Sequence, residues 1–130
     1  MALEIMERHY GEALPILVPA SERGQPIAAY VQSLLQKEGI EIQLRDSYPP
    51  HPEPILLVDD VLYTGKTLLS RLHDLMALYF PPRVEILVLV DRGHKQYPIC
   101  ADYVGLRLAT TLQEYVRVKA LPEGWEVWLE

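Results

Sequence analysis

The chain has 130 residues, 49% of them hydrophobic, and its 12 basic and 18 acidic side chains give a formal charge of −6. That is enough apolar material for one core, and no break in composition marks a second unit, so residues 1–130 are expected to form a single domain. A lone cysteine, Cys100, excludes an intramolecular disulfide, and with neither a basic-then-apolar leader nor a long uncharged apolar run the expectation is a cytoplasmic protein with no membrane partner.

In chain order, Ile16 to Pro19 is a short apolar run that predicts a strand, followed by the loop Pro19-Ala20-Ser21-Glu22-Arg23-Gly24. A helix is expected from Pro26 to Glu38. Proline suits the first turn, Ile27, Tyr30, Val31, Leu34 and Leu35 share a face, and Gly39 terminates it. Ile40 to Arg45 alternates as a strand would. Ser47 to Pro54 carries four prolines in eight residues, the composition of a stiff extended connector. Ile55 to Val58 is continuously apolar and ends in acid, which fits a strand buried on both faces. Lys66 to Tyr79 has Leu68, Leu69, Leu72, Leu75, Met76 and Tyr79 at helical spacing and stops before Pro81-Pro82. Val84 to Val90 predicts a second buried strand. Tyr115 to Ala120 and Trp125 to Leu129, separated by Pro122-Glu123-Gly124, predict a hairpin. Strands alternating with helices favour an α/β fold with a parallel sheet, right-handed crossovers and ligands at the carboxyl ends of the strands.

The chemistry concentrates between Ile55 and Thr67. Thr64, Gly65 and Thr67 offer hydroxyls and open backbone N–H groups where a helix begins, so orphan donors and the positive end of the helix dipole converge on an anion such as a 5′-phosphate. Asp59 and Asp60 repel phosphate, but adjacent carboxylates suit the paired hydroxyls of a ribose. Gly65-Lys66-Thr67 also matches the end of a nucleotide P-loop. That reading fails because its first glycine would fall on Asp60, an acid. His9, His51, His73 and His94 lack metal-ligand spacing, so no structural metal is expected. Nothing near Cys100 in sequence supplies a base, and a packing role is expected for it.

The run ILLVDDVLYTGKT, Ile55 to Thr67, resembles the signature of type I phosphoribosyltransferases. LVLVDRGHKQYPICADYVG, Leu87 to Gly105, is similar to the corresponding region of the pyrimidine-operon attenuator family, PyrR. The similarity is continuous from Ile55 to Thr110 and looser from Pro15 to Arg45. It implies a parallel-sheet type I phosphoribosyltransferase fold with helices on both faces and a C-terminal hairpin. It further implies binding of phosphoribosyl pyrophosphate and UMP, and the reaction uracil + phosphoribosyl pyrophosphate → UMP + pyrophosphate, with Mg2+ carried by the substrate and a homodimer as the assembly. On this reading Asp59 and Asp60 are the catalytic acids. Leu62, Tyr63, Thr64, Gly65, Lys66 and Thr67 hold the phosphate, and Ser21, Arg23 and Gly24 hold the pyrophosphate. Val90, Asp91 and Arg92 read the nucleobase.

Three departures from the family pattern bear on function. Ser21 stands where the family has a basic residue, and Glu22 adds a negative charge beside the expected pyrophosphate. The connector from Ser47 to Pro54 replaces a long mobile loop that closes over substrate; its loss should lower transfer more than affinity. Cys100 and Leu106 occupy places where RNA-binding members carry basic residues, and the net negative charge opposes polyanions, so RNA is not an expected partner. The alternatives to an enzyme are a UMP-sensing regulator that binds messenger RNA and a phosphoribosyl-ligand sensor without chemistry.

Overall fold

The computed structural model describes residues 5, 13–93, 95–107, 116–121 and 124–129. Four strands, β1 (Ile16–Pro19), β2 (Ile55–Leu62), β3 (Val84–Asp91) and β4 (Tyr103–Arg107), form a parallel sheet in that order. Helix α1 (Gln25–Lys37) follows β1, and α2 (Lys66–Leu78) follows β2. A two-stranded antiparallel ribbon, β5 (Val116–Leu121) with β6 (Gly124–Leu129), closes the described chain. Tyr115, placed at the start of a strand by its sequence, lies outside the described residues.

The uninterrupted apolar runs of β2 and β3 are what a sheet covered on both sides requires. Successive side chains point to opposite faces, and they separate into two cores. Leu17, Leu56, Val58, Leu87 and Leu89 pack with Ile27, Ala28, Val31 and Leu35 of α1, while Ile16, Val18, Ile55, Leu57, Ile86 and Val88 pack with Leu68 and Leu75 of α2. Trp125 and Val127 of β6 join the α1 side, where Trp125 meets Tyr30 edge to face at 6.0 Å.

Residues 40–45, expected as a strand, reduce to one parallel bridge between Leu44 and Leu17. The Leu17 N–H donates to the Gln43 carbonyl and the Arg45 N–H to the Leu17 carbonyl, both at 2.9 Å. β1 cannot carry a longer ladder, because Pro15 and Pro19 have no N–H and the Ala20 N–H is given to Val58. The bridge still fixes the topology. α1 delivers the chain to the outer edge of β1, and the 46–54 connector brings it back to β2 on the other side. The winding direction therefore reverses between β1 and β2, the place where an open α/β sheet leaves a crevice at its carboxyl ends.

The connector is tied down near its start, at Tyr48 and Pro49. Tyr48 Oη donates to the Arg71 carbonyl at 2.8 Å, and Tyr79 Oη to the Pro49 carbonyl at 2.6 Å. β4 was not legible as a strand: Gly105 interrupts five residues, and a Cβ there would meet the Leu89 carbonyl oxygen at 2.7 Å. Cys100, expected in packing, is exposed, with Lys95 Nζ 3.6 Å from its sulfur. It sits in the loop that leads into β4 and joins neither core.

Candidate functional site

Two loops face each other at the reversal. After β1, Ala20 is held through its N–H by the Val58 carbonyl at 2.8 Å and through its own carbonyl by Arg71 Nε at 2.7 Å. Glu22–Gly24 then make one turn of 3-10 helix, closed by the Gly24 N–H on the Ser21 carbonyl at 3.0 Å. A Cβ on Gly24 would collide with the Val58 carbonyl oxygen. The glycine that the sequence assigns to a pyrophosphate thus serves first to let this loop lie against β2. Arg23 and Glu22 are exposed beside it.

β2 runs on through both acids to Leu62, four residues past the expected end. Val61 packs with the α1-side core and Leu62 with the α2-side core, which inverts the alternation of Ile55 to Val58. The pairing with β3 keeps one register through this stretch, and the carboxylates serve the backbone: Asp59 Oδ1 accepts from the Asp60 N–H at 2.9 Å, and Asp60 Oδ1 from the Val61 N–H at 2.8 Å. Asp59 is only 5% exposed. Ser21 Oγ donates to its Oδ1 at 2.9 Å, so the hydroxyl expected on pyrophosphate is spent on the acid. Burial pushes the Asp59 carboxyl up to about 6, and the neighbouring Asp60 charge adds to that; the Asp60 N–H and the Ser21 hydroxyl pull it back.

The turn from Tyr63 to Gly65 opens α2. Gly65 takes φ +89°, a left-handed conformation that glycine adopts without strain, and any Cβ there would press on Ile99 at 3.1 Å. Thr64 Oγ1 accepts from the Lys66 N–H at 3.2 Å. The loop after β3 is bonded to this turn: the Arg92 N–H reaches the Leu62 carbonyl, and the Gln96 and Tyr97 N–H groups share the Thr64 carbonyl, at 2.9 to 3.1 Å. Arg92 is 7% exposed and its guanidinium lies 4.0 Å over the Tyr63 ring, within cation–π range. Val90 is wholly in the core, and Asp91 caps the following turn by accepting the Gly93 N–H at 2.9 Å.

These parts meet in one cleft of about 650 Å³ lined by Ser21, Glu22, Arg23, Asp59, Asp60, Val61, Tyr63, Thr67 and Arg92. A smaller cavity of about 180 Å³ lies under the turn, bordered by Asp59, Val61 and every residue from Leu62 to Leu68. All six expected phosphate residues border one or both spaces. Of the expected base readers only Arg92 lines the cleft, and of the pyrophosphate trio Gly24 stands behind it. Sequence reasoning missed Val61, an apolar strand residue that nonetheless lines the cleft, and Arg71, a cation on a polar helix face with no pattern to distinguish it from a solvated one.

The phosphoribosyl transferase domain family matches residues 53–114. Bifunctional protein PyrR of Deinococcus radiodurans is 35% identical over 144 residues, covering 92% of this chain and 79% of the relative. That of Streptococcus uberis is 36% identical, covering 91% and 80%. The pyrimidine operon regulatory protein of Lactococcus lactis is 35% identical, covering 89% and 79%. Since 92% of 130 residues fills only part of a 144-residue match, the Deinococcus relative holds residues within that span that have no counterpart here. Among solved structures, the hypoxanthine phosphoribosyltransferase of Trypanosoma cruzi superposes with a TM-score of 0.73 at 18% identity, covering 88% of this chain and 75% of that one. A hypoxanthine-guanine phosphoribosyltransferase of Bacillus anthracis gives 0.64 at 21%, covering 82% and 72%. The sheet order, the two acids and the Tyr63 to Gly65 turn are thus carried on a type I phosphoribosyltransferase fold, and by its identity to these relatives the chain belongs to the PyrR family.

Proposed function

We propose that this single-domain chain binds phosphoribosyl pyrophosphate and UMP in the cleft between the β1 and β2 loops and transfers the phosphoribosyl group to uracil slowly. The observation that supports this best is the convergence of Arg23, the Asp59-Asp60 pair, Thr67 and Arg92 on one space. The Thr64 to Thr67 turn takes the 5′-phosphate through hydroxyls and α2 N–H groups. Asp59 and Asp60 accept from the ribose hydroxyls. Arg23 draws the pyrophosphate to the opposite side, and Arg92, stacked on Tyr63, presents its N–H edge to the carbonyls of the base. The C1–O bond to pyrophosphate breaks with its electron pair leaving on oxygen, and the ring carries positive charge until uracil N1 bonds to C1 and gives up its proton. Asp60, half-buried at the cleft, supplies the countercharge. Mg2+ carried by the donor would be held by the donor's own oxygens and would neutralise its pyrophosphate.

Slow turnover follows from the connector. Its Tyr48 and Pro49 are bonded to α2 and to Tyr79, and no residue from 47 to 54 lines the cleft. Ground-state contacts are untouched by this, whereas exclusion of water at the reacting centre is lost. Steady-state pyrophosphate release, set against calorimetric binding of the donor, tests both halves. Donor and UMP binding with a turnover well below the usual range of roughly 1 to 1,000 per second is the expected result. No binding of either ligand would overturn the assignment, and ordinary turnover would show the missing lid to be no handicap.

A further inference from the structure

We propose that Arg71 is a positioning residue for the loop on the pyrophosphate side, coupling the clasped connector to the Ser21 hydroxyl and through it to the Asp59 carboxylate. The proposal rests on the phosphoribosyl-ligand reading above. Its geometry is a continuous chain of contacts across four segments. Tyr48 Oη of the connector donates to the Arg71 carbonyl at 2.8 Å, Arg71 Nε of α2 donates to the Ala20 carbonyl at 2.7 Å, and the next residue, Ser21, donates Oγ to Asp59 Oδ1 at 2.9 Å.

The contact on Ala20 is the link that matters. Ala20 is buried, and its N–H is fixed to β2. With its carbonyl fixed as well, the peptide plane between Ala20 and Ser21 is held in one orientation, and the Ser21 side chain starts from a set point. A charged donor on a buried carbonyl is among the stronger single hydrogen bonds. The other guanidinium contact, NH1 to Asp74 Oδ2 at 3.5 Å between half-exposed side chains, is of the weak surface kind. Arg71 also lines a separate cavity of about 320 Å³ with Ser21, Glu22, Asp46, Ser47 and Tyr48; the ligand cleft shares Ser21 and Glu22 with it but is not lined by Arg71. It therefore acts on the loop from behind and touches no reacting atom.

A loop set from behind should matter most to the ligand that uses the loop. Phosphoribosyl pyrophosphate places its pyrophosphate against residues 21–24, while UMP has none. Arg71→Met keeps the aliphatic stem and removes the donor; Arg71→Lys keeps the charge; Tyr48→Phe cuts the first link; Asp74→Asn cuts the surface pair. Calorimetric titration of each variant with both ligands should show Arg71→Met weakening the donor about tenfold more than UMP, the scale of one charged hydrogen bond. Arg71→Lys should recover part of that, Tyr48→Phe should show a smaller loss in the same direction, and Asp74→Asn should match the parent.

The Asp59 titration, followed by carboxyl carbon chemical shift without ligand, gives a second readout. Asp60, Glu22, Arg23, Tyr63 and Arg92 face this carboxyl across the cleft and are unchanged in every variant. The midpoint should rise in Arg71→Met, because the Ser21 hydroxyl that lowers it is no longer held in place. A lowered melting temperature with an unchanged donor-to-UMP ratio overturns the proposal and leaves Arg71 a scaffold tie. If the parent protein binds neither ligand, the functional reading falls by itself, and the Asp59 midpoint decides: a rise in Arg71→Met upholds the coupling and no change removes it.

Discussion

Asp59 is where stability and function oppose each other. Its carboxyl binds a proton more tightly in the folded chain, with its pKa raised from 3.8 to about 6, than in the unfolded one. For such a group stability is greatest below the unfolded pKa, falls as pH rises from about 4 to about 6, and stays lower above. The penalty at neutral pH is about 3 kcal/mol. Asp59→Asn in the ligand-free protein should recover much of it, since an amide oxygen can still accept from Ser21. Urea denaturation at pH 4, 6 and 8 should show the variant gaining stability at pH 8 and losing the downward slope between 4 and 6. The same change should weaken UMP, and Asp59→Asn combined with Asp60→Asn should leave inorganic phosphate bound as well or better, because two negative charges have gone. Thr67→Val, at a position bordering both cavities, should cost UMP about 1.5 to 3 kcal/mol. An unchanged UMP affinity would remove the phosphate from the turn.

At the scale of elements, close packing of the first loop on β2 gives a sharp test. Gly24→Ala must push the 3-10 turn off the Val58 carbonyl, a backbone atom that cannot swing aside. The expected loss is about 1 to 3 kcal/mol of unfolding free energy, with donor affinity falling alongside, read by denaturation and calorimetry. A fully stable alanine variant would mean that the loop moves freely. Both helices and the two central strands were legible because apolar periodicity and their stops agree: Pro26 and Gly39 bracket α1, and Pro81-Pro82 closes α2. The turn that opens α2 was legible as well, since Thr64, Gly65 and Thr67 fall within four residues and Gly65 takes the left-handed conformation there. The partners across the sheet were not. That Ser21 reaches Asp59 depends on how the loop after β1 meets β2, and no local pattern encodes it, nor the exchanged facing of Val61 and Leu62. Residues 40–45 alternate as a strand does, yet their neighbour is too short and too rich in proline to pair with them.

For the whole molecule, charge and shape act together. With 18 acids against 12 bases the net charge opposes polyanions, and a local patch such as Arg92 and Lys95 would have to act against it. Titration with structured RNA at two salt concentrations should give weak binding with a shallow salt slope; tight, steeply salt-dependent binding would restore the messenger-RNA-binding regulator as the reading, in keeping with the Lactococcus relative's name as a regulatory protein.

The Tyr48 and Tyr79 clasps hold the connector out of the cleft lining, so on the proposed function bulk water would have standing access to the ribose face. A ribosyl cation formed there is offered two nucleophiles, the base and the solvent at its full concentration. Hydrolysis of the donor to ribose 5-phosphate and pyrophosphate then becomes a competing outlet rather than a rare leak, and pyrophosphate should appear in excess of UMP. The ratio of the two products measures how closed the site is, independently of how fast it turns over.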